Sequence, residues 1–170
     1  MKINVDRSFL EINSIKKLNQ SKSPGPNFKI NQVYPPDFQL NKFFYKQIGN
    51  KYRWIDRLAW SDKKWIEYVE NPRVKTFILK ENNNLVGFYE TVRDLDNDHS
   101  EIAYFGILED YFGKKCGGYL LSEAIKKLFE DGISRVWLHT CSLDHKNAIK
   151  NYLARGMQIF KSEKINVEVN

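Results

Sequence analysis

The stretch Ile102–Met157 decides the fold of this chain and reads IAYFGILEDYFGKKCGGYLLSEAIKKLFEDGISRVWLHTCSLDHKNAIKNYLARGM. An apolar run leads through a turn rich in Gly and Lys into a long amphipathic segment. A β-rich run follows, and then a second helical segment that ends at Arg155-Gly156. Where a Gly-Lys turn opens a helix, unpaired backbone N–H groups and the positive end of the helix dipole attract anions. The order strand–turn–helix–strand–helix therefore predicts an anion-binding turn within an α/β fold.

The turn and the last helical segment resemble a known family. The sequence FGKKCG at Phe112–Gly117 stands in the frame that the GNAT superfamily of acyl-CoA-dependent N-acetyltransferases writes as Arg/Gln-x-x-Gly-x-Gly/Ala. Phe112 replaces the usual Arg or Gln, and Lys115 replaces the first motif glycine. The pattern RVWLHTCSLDH…NYLARG is similar to one bacterial branch of the family. The resemblance extends over residues 74–163 and, more loosely, over the earlier part of the chain.

The resemblance implies a fold and an activity. The expected fold is a single α/β domain over residues 1–170, with a central mixed sheet flanked by about four helices and a partly loop-like segment at residues 1–27. The expected activity is transfer of an acetyl group from acetyl-CoA to a primary amine, on a small molecule. A catalytically silent acyl-CoA-binding or regulatory domain remains an alternative, because Phe112 and Lys115 depart from the motif.

Periodicity and punctuation predict the elements along the chain. Pro and Gly mark the ends of helices, and alternating apolar residues mark strands. Ser61 and Asp144 stand where helix N-caps are expected. The predicted strands lie at 8–12, 28–33, 74–79, 85–92, 101–108, 135–140 and within 159–169, and the predicted helices run from 37 to 48, from 61, from 120 to 129 and from 144 to 153.

Composition excludes several classes of protein. The formal net charge is +6 and the isoelectric point is near 9.2, but the lysines are spread along the chain and no nucleic-acid-binding signature accompanies them. A basic polyanion-binding module is therefore the weakest alternative. No apolar run approaches the ~20 residues that span a bilayer, and the N-terminus has no signal-peptide apolar region. We expect a cytoplasmic protein with no membrane or nucleic-acid partner; a homodimer is left open.

The cysteines and histidines do not suggest a metal site. Cys116 and Cys141 form no CxxC pair, and the three histidines show no ligand spacing. We therefore expect free thiols and no metal cofactor. Cys141 could also serve as a nucleophile, but neither cysteine has an evident base partner, so direct transfer is preferred over an acyl-enzyme.

Tyr152 is the leading candidate for the general acid. It lies on the last helix, four residues before Gly156, where enzymes of the resembled family often carry a Tyr that faces the thioester sulfur. A phenol with a pKa of about 10 can hydrogen-bond a departing thiolate and protonate it. The alternative is ordinary core packing beside Ala148 and Ile149.

The general base is open among three residues. Glu101 begins the strand that leads into the acyl site, and Glu90 lies on the preceding hairpin. Either carboxylate could accept the amine proton if burial raised its pKa, or could bind the substrate ammonium instead. His139 interrupts an apolar strand, and its ordinary pKa of about 6.5 also suits a base. A hydrogen-bonded core histidine is the alternative for His139.

The resemblance also implies where the donor and the acceptor bind. Backbone groups of the strand before the turn would hold the pantetheine arm, at Gly106, Ile107 and Leu108, with Gly106 allowing close approach of the ligand. His145 stands where many members place an Asn that touches the cofactor. The phosphates would meet the turn and the start of the following helix, at Gly113, Lys114, Lys115, Cys116, Gly117 and Gly118.

The aromatic and charged block at 52–60 would border the acceptor pocket. Its candidate pocket residues are Trp54, Asp56, Arg57 and Trp60. An aromatic wall beside a carboxylate favours a cationic amine. Buried packing of the tryptophans, with Asp56 and Arg57 as a weak surface pair, is the alternative.

Overall fold

Seven strands form one sheet, and the computed structural model of the chain describes residues 1–168. The strands are β1 (Lys2–Ile12), β2 (Phe28–Gln32), β3 (Val74–Glu81), β4 (Asn84–Arg93), β5 (His99–Ile107), β6 (Arg135–Cys141) and β7 (Gln158–Glu168). The helices are α1 (Phe38–Gly49), α2 (Asp62–Glu70), α3 (Cys116–Glu130) and α4 (Ala148–Ala154). Two short 3-10 turns lie at Ile15–Lys17 and Glu109–Tyr111.

The strand order across the sheet is β2-β3-β4-β5-β6-β1-β7. Neighbouring strands run antiparallel except β5 and β6, which are parallel and are joined by α3. A parallel pair requires such a crossover, and a helix is its usual form. β1 is the first strand of the chain, yet it lies between β6 and β7, so the two ends of the described chain are tied to the same part of the sheet.

Two apolar clusters bury the two faces of the sheet. One face packs against α3, whose buried residues Leu120, Leu121, Ala124 and Ile125 repeat at helical spacing. The opposite face, over β3 and β4, packs against α1 through Phe44, which stacks on Phe88 with ring centroids 4.9 Å apart. The site described below lies where these two layers meet the centre of the sheet.

The predicted α/β class with a mixed sheet and four helices is confirmed. Ser61 caps α2 as expected, because its side chain accepts a hydrogen bond from the N–H of Lys64 at 3.2 Å. Asp37 caps α1 in the same way, through the N–H of Gln39. Within residues 1–168, no helix is long and apolar enough to cross a membrane.

One expectation near the chain ends was wrong. The N-terminal strand spans eleven residues, not the five at 8–12, because its first half pairs with β7. At the other end, the one or two closing strands that were expected are a single continuous strand, β7; residue 169, where that prediction ended, lies outside the described residues.

The Asp144 cap was also wrong. α4 begins only at Ala148, after an N-cap at Asn147 that makes no side-chain cap bond. Oδ2 of Asp144 instead accepts hydrogen bonds from Oγ1 of Thr140 at 2.5 Å and from the backbone N of Cys141 at 3.0 Å. Asp144 therefore binds the C-terminal end of β6. Its carboxylate hydrogen-bonds the preceding strand and not the N–H groups of the following helix.

Candidate active site

The two parallel strands at the centre of the sheet separate after a short pairing. β5 and β6 pair over three residue pairs that end at Glu101↔Trp137, whereas β5 stays paired with β4 as far as Ile107. Among residues 1–168, the edge of β5 that faces β6 therefore has no neighbouring strand from Ile102 to Ile107. Backbone N–H and C=O groups on such an edge can pair with another extended chain.

A cavity of about 810 Å³ fills the gap between the two strands. Its wall comes from the diverging parts of β5 and β6, the start of α3, the face of α4 and the segment that joins α1 to α2. Ligand pockets in proteins commonly measure about 300–1,000 Å³. The gap therefore has the size of a ligand site and reaches both faces of the sheet.

The turn before α3 places a positive helix end at this cavity. Lys115 has φ 63° and ψ 15°, a left-handed conformation, and it is the N-cap of α3 without a side-chain cap bond. The N–H groups of the first helical turn consequently have no capping side chain and can bind an anion. Cys116, Gly117 and Gly118, which form that turn of α3, line the cavity.

The glycines around the gap have different roles. A Cβ at Gly106 would lie 2.8 Å from Cγ2 of Ile48, so this glycine makes room for α1. A Cβ at Gly118 would lie 2.9 Å from Nη1 of Arg155. At Gly117 it would make ordinary van der Waals contact with Nδ2 of Asn151 at 3.6 Å and with Cγ1 of Ile107 at 3.9 Å. Packing of α1 thus accounts for Gly106, where the sequence suggested room for a ligand.

An aromatic cluster stands at the entrance beside the turn. The ring of Phe112 meets His145 edge-on, with centroids 5.0 Å apart, and His145 meets Tyr52 in the same manner at 5.8 Å. Nδ1 of His145 accepts a hydrogen bond from the backbone N–H of Asn147. Phe112, which replaces the charged or amide residue usual in the resembled motif, therefore links the turn after β5 to the loop after β6.

Tyr152 lies on the α4 face of the cavity and is 8% exposed. Phe105 of β5 packs edge-on against its ring, with centroids 6.4 Å apart. Its hydroxyl has no hydrogen-bond partner within the described part of the chain. Burial, helped by the negative charge of Asp144, raises the pKa of Tyr152 well above the ordinary 10.0. The phenol is therefore protonated at neutral pH and carries an unused O–H donor.

Glu101 and His139 face each other where the strands begin to separate. Nε2 of His139 lies 3.9 Å from Oε1 of Glu101. Burial raises the pKa of Glu101, an effect that the charge of Arg57 partly opposes. Burial and the nearby charge of Arg7 lower the pKa of His139. Both shifts favour the uncharged forms, and the His139 side chain is 40% exposed, so it is not a core histidine.

Glu90 is held in a buried network with Arg57, which lines the cavity. Glu90 is 1% exposed and Arg57 is 6% exposed. Nη1 of Arg57 donates to both carboxylate oxygens of Glu90, at 2.9 and 3.1 Å. The Tyr68 hydroxyl and the Asn41 amide also donate to this carboxylate. Each oxygen of Glu90 therefore accepts two hydrogen bonds and Glu90 has no open position for a substrate proton.

Aromatic rings surround the guanidinium of Arg57. The distances from Cζ to the ring centroids run from 4.1 to 5.8 Å, for Tyr45, Trp60, Trp65, Tyr68 and Tyr104. Stacking of this kind suits the planar, weakly hydrated guanidinium. The cage fixes one edge of Arg57 against Glu90 while Arg57 still lines the cavity.

Most of the predicted site residues line the cavity. Those with a predicted catalytic role are Glu101, His139 and Tyr152. Those predicted to contact the donor are Gly106, Ile107, Gly113, Lys115, Cys116, Gly117, Gly118 and His145. Those predicted for the acceptor pocket are Trp54, Asp56 and Arg57. The gap between β5 and β6 thus brings together residues from three separate parts of the sequence.

Four predicted site residues lie outside the lining. Glu90 is in the network described above. The backbone N–H of Leu108 donates to Val86, and its side chain packs on the α1 side of the sheet. The ammonium of Lys114 lies over the ring of Tyr111, 5.0 Å from its centroid. Trp60 packs edge-on against Trp65, with centroids 5.0 Å apart.

Sequence reasoning missed several residues of the cavity wall, among them Arg7, Tyr104 and Asn151. Arg7 lies in a segment that was expected to be partly loop, although the alternation of Ile3 and Val5 with polar residues is a strand signal. Asn151 precedes Tyr152 on the helix that was already singled out. Tyr104 reaches the site only because β5 is the strand that separates from β6.

Residues 35–157 match the family model described as "Acetyltransferase (GNAT) family". This match covers most of the chain, so the protein belongs to the GNAT acetyltransferase family, and the resemblance seen in the sequence is confirmed at that level. The narrower likeness to one bacterial branch stays a prediction. A comparison with curated protein sequences finds no significant match.

Solved structures share the fold at low sequence identity. A GCN5-related N-acetyltransferase from Sphaerobacter thermophilus superimposes with a TM-score of 0.75 at 14% identity over 95% of this chain, but this chain spans only 50% of that protein. An aminoglycoside acetyltransferase from an uncultured soil metagenomic sample gives 0.64 at 12% identity, covering 76% of this chain and 87% of that one. The ribosomal-protein-S18-alanine N-acetyltransferase of Escherichia coli gives 0.60 at 21% identity, covering 76% of each chain.

Proposed function

We propose that this protein is an N-acetyltransferase that moves an acetyl group from acetyl-CoA directly to a primary amine on a small molecule. The unpaired edge of β5, which leads into an uncapped helix end, is the observation that carries this proposal. An extended pantetheine arm has amide groups that can pair with a strand edge, and a pyrophosphate suits helix N–H groups. Both features lie in one cavity.

The residues present fit this donor. Backbone groups of Gly106 and Ile107 would hold the pantetheine arm. Lys115 and the backbone N–H groups of the first turn of α3, around Gly117, would hold the phosphates. Bound acetyl-CoA supplies an activated thioester. Lys114 is not assigned to the phosphates, because it does not line the cavity and its ammonium lies over the ring of Tyr111.

Tyr152 is the proposed proton donor to the leaving group. Within residues 1–168 its hydroxyl has no hydrogen-bond partner, and Tyr152 lines the cavity beside Phe105. Because the pKa of Tyr152 is raised by burial, the phenol remains protonated and can hydrogen-bond the sulfur as negative charge develops there. The proton then passes to the thiolate, or the hydrogen bond alone lowers the barrier.

Glu101, with His139 beside it, is the proposed route for the proton that the attacking amine loses. The amine must be neutral to attack, so a base with a pKa near the working pH helps most. Burial raises the pKa of Glu101 toward that range, and the lowered pKa of His139 leaves its imidazole neutral at pH 7. Glu90 is not proposed as the base, because its carboxylate is fully hydrogen-bonded.

Direct transfer is preferred over an acyl-enzyme on Cys141. Cys141 lines the cavity, but burial and the charge of Asp144 raise the pKa of its thiol. A thiol is a far weaker nucleophile than a thiolate. Among residues 1–168, no base donates to or accepts from its sulfur, so the amine itself is the proposed nucleophile.

The acceptor side of the cavity suits a cationic amine. Trp54 supplies an aromatic wall, and the carboxylates of Asp56 and Glu101 supply negative charge. These features attract an ammonium before it loses its proton. A protein N-terminus is the competing acceptor, as the name of the E. coli neighbour describes for that enzyme.

The donor proposal is tested by thermal unfolding with acetyl-CoA, free CoA and a short DNA duplex, each at two salt concentrations. A ligand at one hundred times its Kd should stabilise the protein by about 2.7 kcal/mol. We expect saturable stabilisation by acetyl-CoA, followed by acetylation of at least one member of an amine panel, detected by mass spectrometry. Stabilisation with no product from any amine would favour a silent acyl-CoA-binding domain. A salt-sensitive shift with DNA alone would favour a polyanion-binding module.

A further inference from the structure

Arg7 places an unused hydrogen-bond donor in the wall of the acceptor cavity. It lies on β1, directly opposite Cys141 of β6, and it lines the cavity. Nε of Arg7 is buried and has no hydrogen-bond partner within residues 1–168. A buried N–H group without a partner costs free energy unless a ligand satisfies it. The Arg7 side chain as a whole is 34% exposed, so a ligand in the cavity that carries a hydrogen-bond acceptor can reach its guanidinium.

The protein does not fully neutralise the charge of Arg7. Its one ion pair with residues 1–168 joins Nη1 to Oε1 of Glu163 at 3.6 Å, which is longer than a hydrogen bond. Glu163 also pairs with Lys161, at 3.6 Å through its other oxygen. One carboxylate is thus shared between two cations, and Arg7 retains both charge and donors for a ligand.

Arg7 and Glu101 lie on opposite sides of His139. In the sheet register, Glu101 is opposite Trp137 and Arg7 is opposite Cys141, so the two lie four β6 residues apart. By strand geometry, the backbones of Arg7 and Glu101 are about 13 Å apart along the strand direction and about 10 Å apart across two strand spacings. His139 stands between them on the same face as Cys141. The long Arg7 side chain shortens this separation between Arg7 and Glu101, which still exceeds the width of one functional group.

We propose that the acceptor is an ω-amino carboxylate, with its amine at the Glu101 end and its carboxylate on Arg7. The inference rests on the proposed acetyltransferase function and names the substrate class of that site. Arginine is well suited to this role, because its planar fork binds a carboxylate through two parallel N–H donors. The separation of Arg7 from Glu101 places several carbon atoms between the amine and the carboxylate. Asp56 and Asp144, which also line the cavity, disfavour a second anionic group.

The test compares ω-amino acids of increasing length with the n-alkylamines of the same chain length. We expect wild-type protein to prefer the amino acid in kcat/KM by about tenfold at the best length, the effect of one charge-assisted hydrogen bond. In Arg7→Met this preference should disappear because kcat/KM for the amino acids falls, while kcat/KM for the alkylamines stays the same. Arg7→Lys should keep part of it. Arg93→Met, which removes a surface arginine outside the cavity, is the matched control.

The outcomes separate this inference from the proposed function. Alkylamines and amino acids acetylated equally at every length, or a preference that survives in Arg7→Met, would overturn the assignment to Arg7 and leave the acetyltransferase standing. If no amine in the panel reacts, calorimetric titration of the ω-amino acids into CoA-saturated protein replaces turnover as the readout. Binding that Arg7→Met abolishes supports the inference, and no binding overturns it. Folding of each variant is verified by its thermal unfolding with acetyl-CoA.

Discussion

Nε2 of His139 lies 3.9 Å from Oε1 of Glu101, and burial shifts the pKa of each group toward its uncharged form. The pair stands at the last point where β5 and β6 are joined, immediately before the strands separate. Two titratable side chains therefore meet at the start of the gap.

The pH dependence of turnover distinguishes the two candidate bases. The pKa of Glu101 is raised from 4.5 and that of His139 is lowered from 6.5. As pH falls through the pKa of the base, the base becomes protonated and the slope of log(kcat/KM) against pH steepens by one. We expect this break above pH 4.5 if Glu101 is the base and below pH 6.5 if His139 is the base. It should vanish in Glu101→Gln if Glu101 is the base, and in His139→Gln if His139 is. A break retained in both variants would exclude both residues.

Loss of the Tyr152 hydroxyl should slow chemistry without weakening donor binding. General acid catalysis commonly contributes about 10²–10⁴-fold, so we expect Tyr152→Phe to lower kcat by about 10²-fold while the KM for acetyl-CoA stays near the wild-type value. Steady-state kinetics give both constants. Tyr119→Phe, on α3 outside the cavity lining, should leave both unchanged. A Tyr152→Phe variant with normal kcat would remove Tyr152 from the mechanism.

Breaking the buried pair of Arg57 and Glu90 should destabilise the fold strongly. Glu90→Gln leaves the Arg57 guanidinium buried without its counter-charge, which costs about 3–5 kcal/mol in comparable cases. Urea denaturation measures this loss. Lys127→Met, which removes one partner of the exposed pair with Asp131, should change stability by no more than about 1 kcal/mol. Equal effects of the two substitutions would show that the Arg57 network is not a structural support.

Lys115 and Lys114 should differ in their effect on CoA binding, although they are adjacent. Lys115 lines the cavity as the N-cap of α3, whereas the Lys114 ammonium rests on Tyr111. We expect Lys115→Ala to weaken CoA binding by about tenfold, the size of one charge-assisted hydrogen bond. Lys114→Ala should have little effect. Calorimetric titration of each variant with CoA measures these effects, and pantetheine is the phosphate-free control. If Lys115→Ala weakened pantetheine binding as much as CoA binding, a phosphate role for Lys115 would be refuted.

The fold was largely predictable from local patterns, because strands and helices here carry strong periodicity and clear caps. The Ser61 cap and the apolar stripe of α3 are examples. The position of β1 between β6 and β7 was not predictable in this way, since strand order depends on pairing between residues far apart in sequence. For the same reason Arg7 was missed, although it lies opposite Cys141.

The sequence predicted the parts of the candidate site that depend on the backbone and on the turn. It predicted less well the parts that depend on which side chains contact each other. The Gly-Lys turn indicated the start of α3, but the sequence did not distinguish Lys115 from Lys114. Glu90 and Glu101 looked alike as candidate bases. Only the tertiary structure pairs Glu90 with Arg57 and leaves Glu101 facing the gap, because the partner of each carboxylate comes from a distant segment.

Amide hydrogen exchange across β5 tests the central claim most directly. Saturating acetyl-CoA should slow exchange of the amides at 102–107 that face β6, and of the first turn of α3, while the amides of β5 that bond to β4 remain protected throughout. The equivalent amides of β2, an outer strand far from the gap, should not change. Unchanged exchange at 102–107 under conditions where acetyl-CoA stabilises the protein would contradict donor binding between β5 and β6.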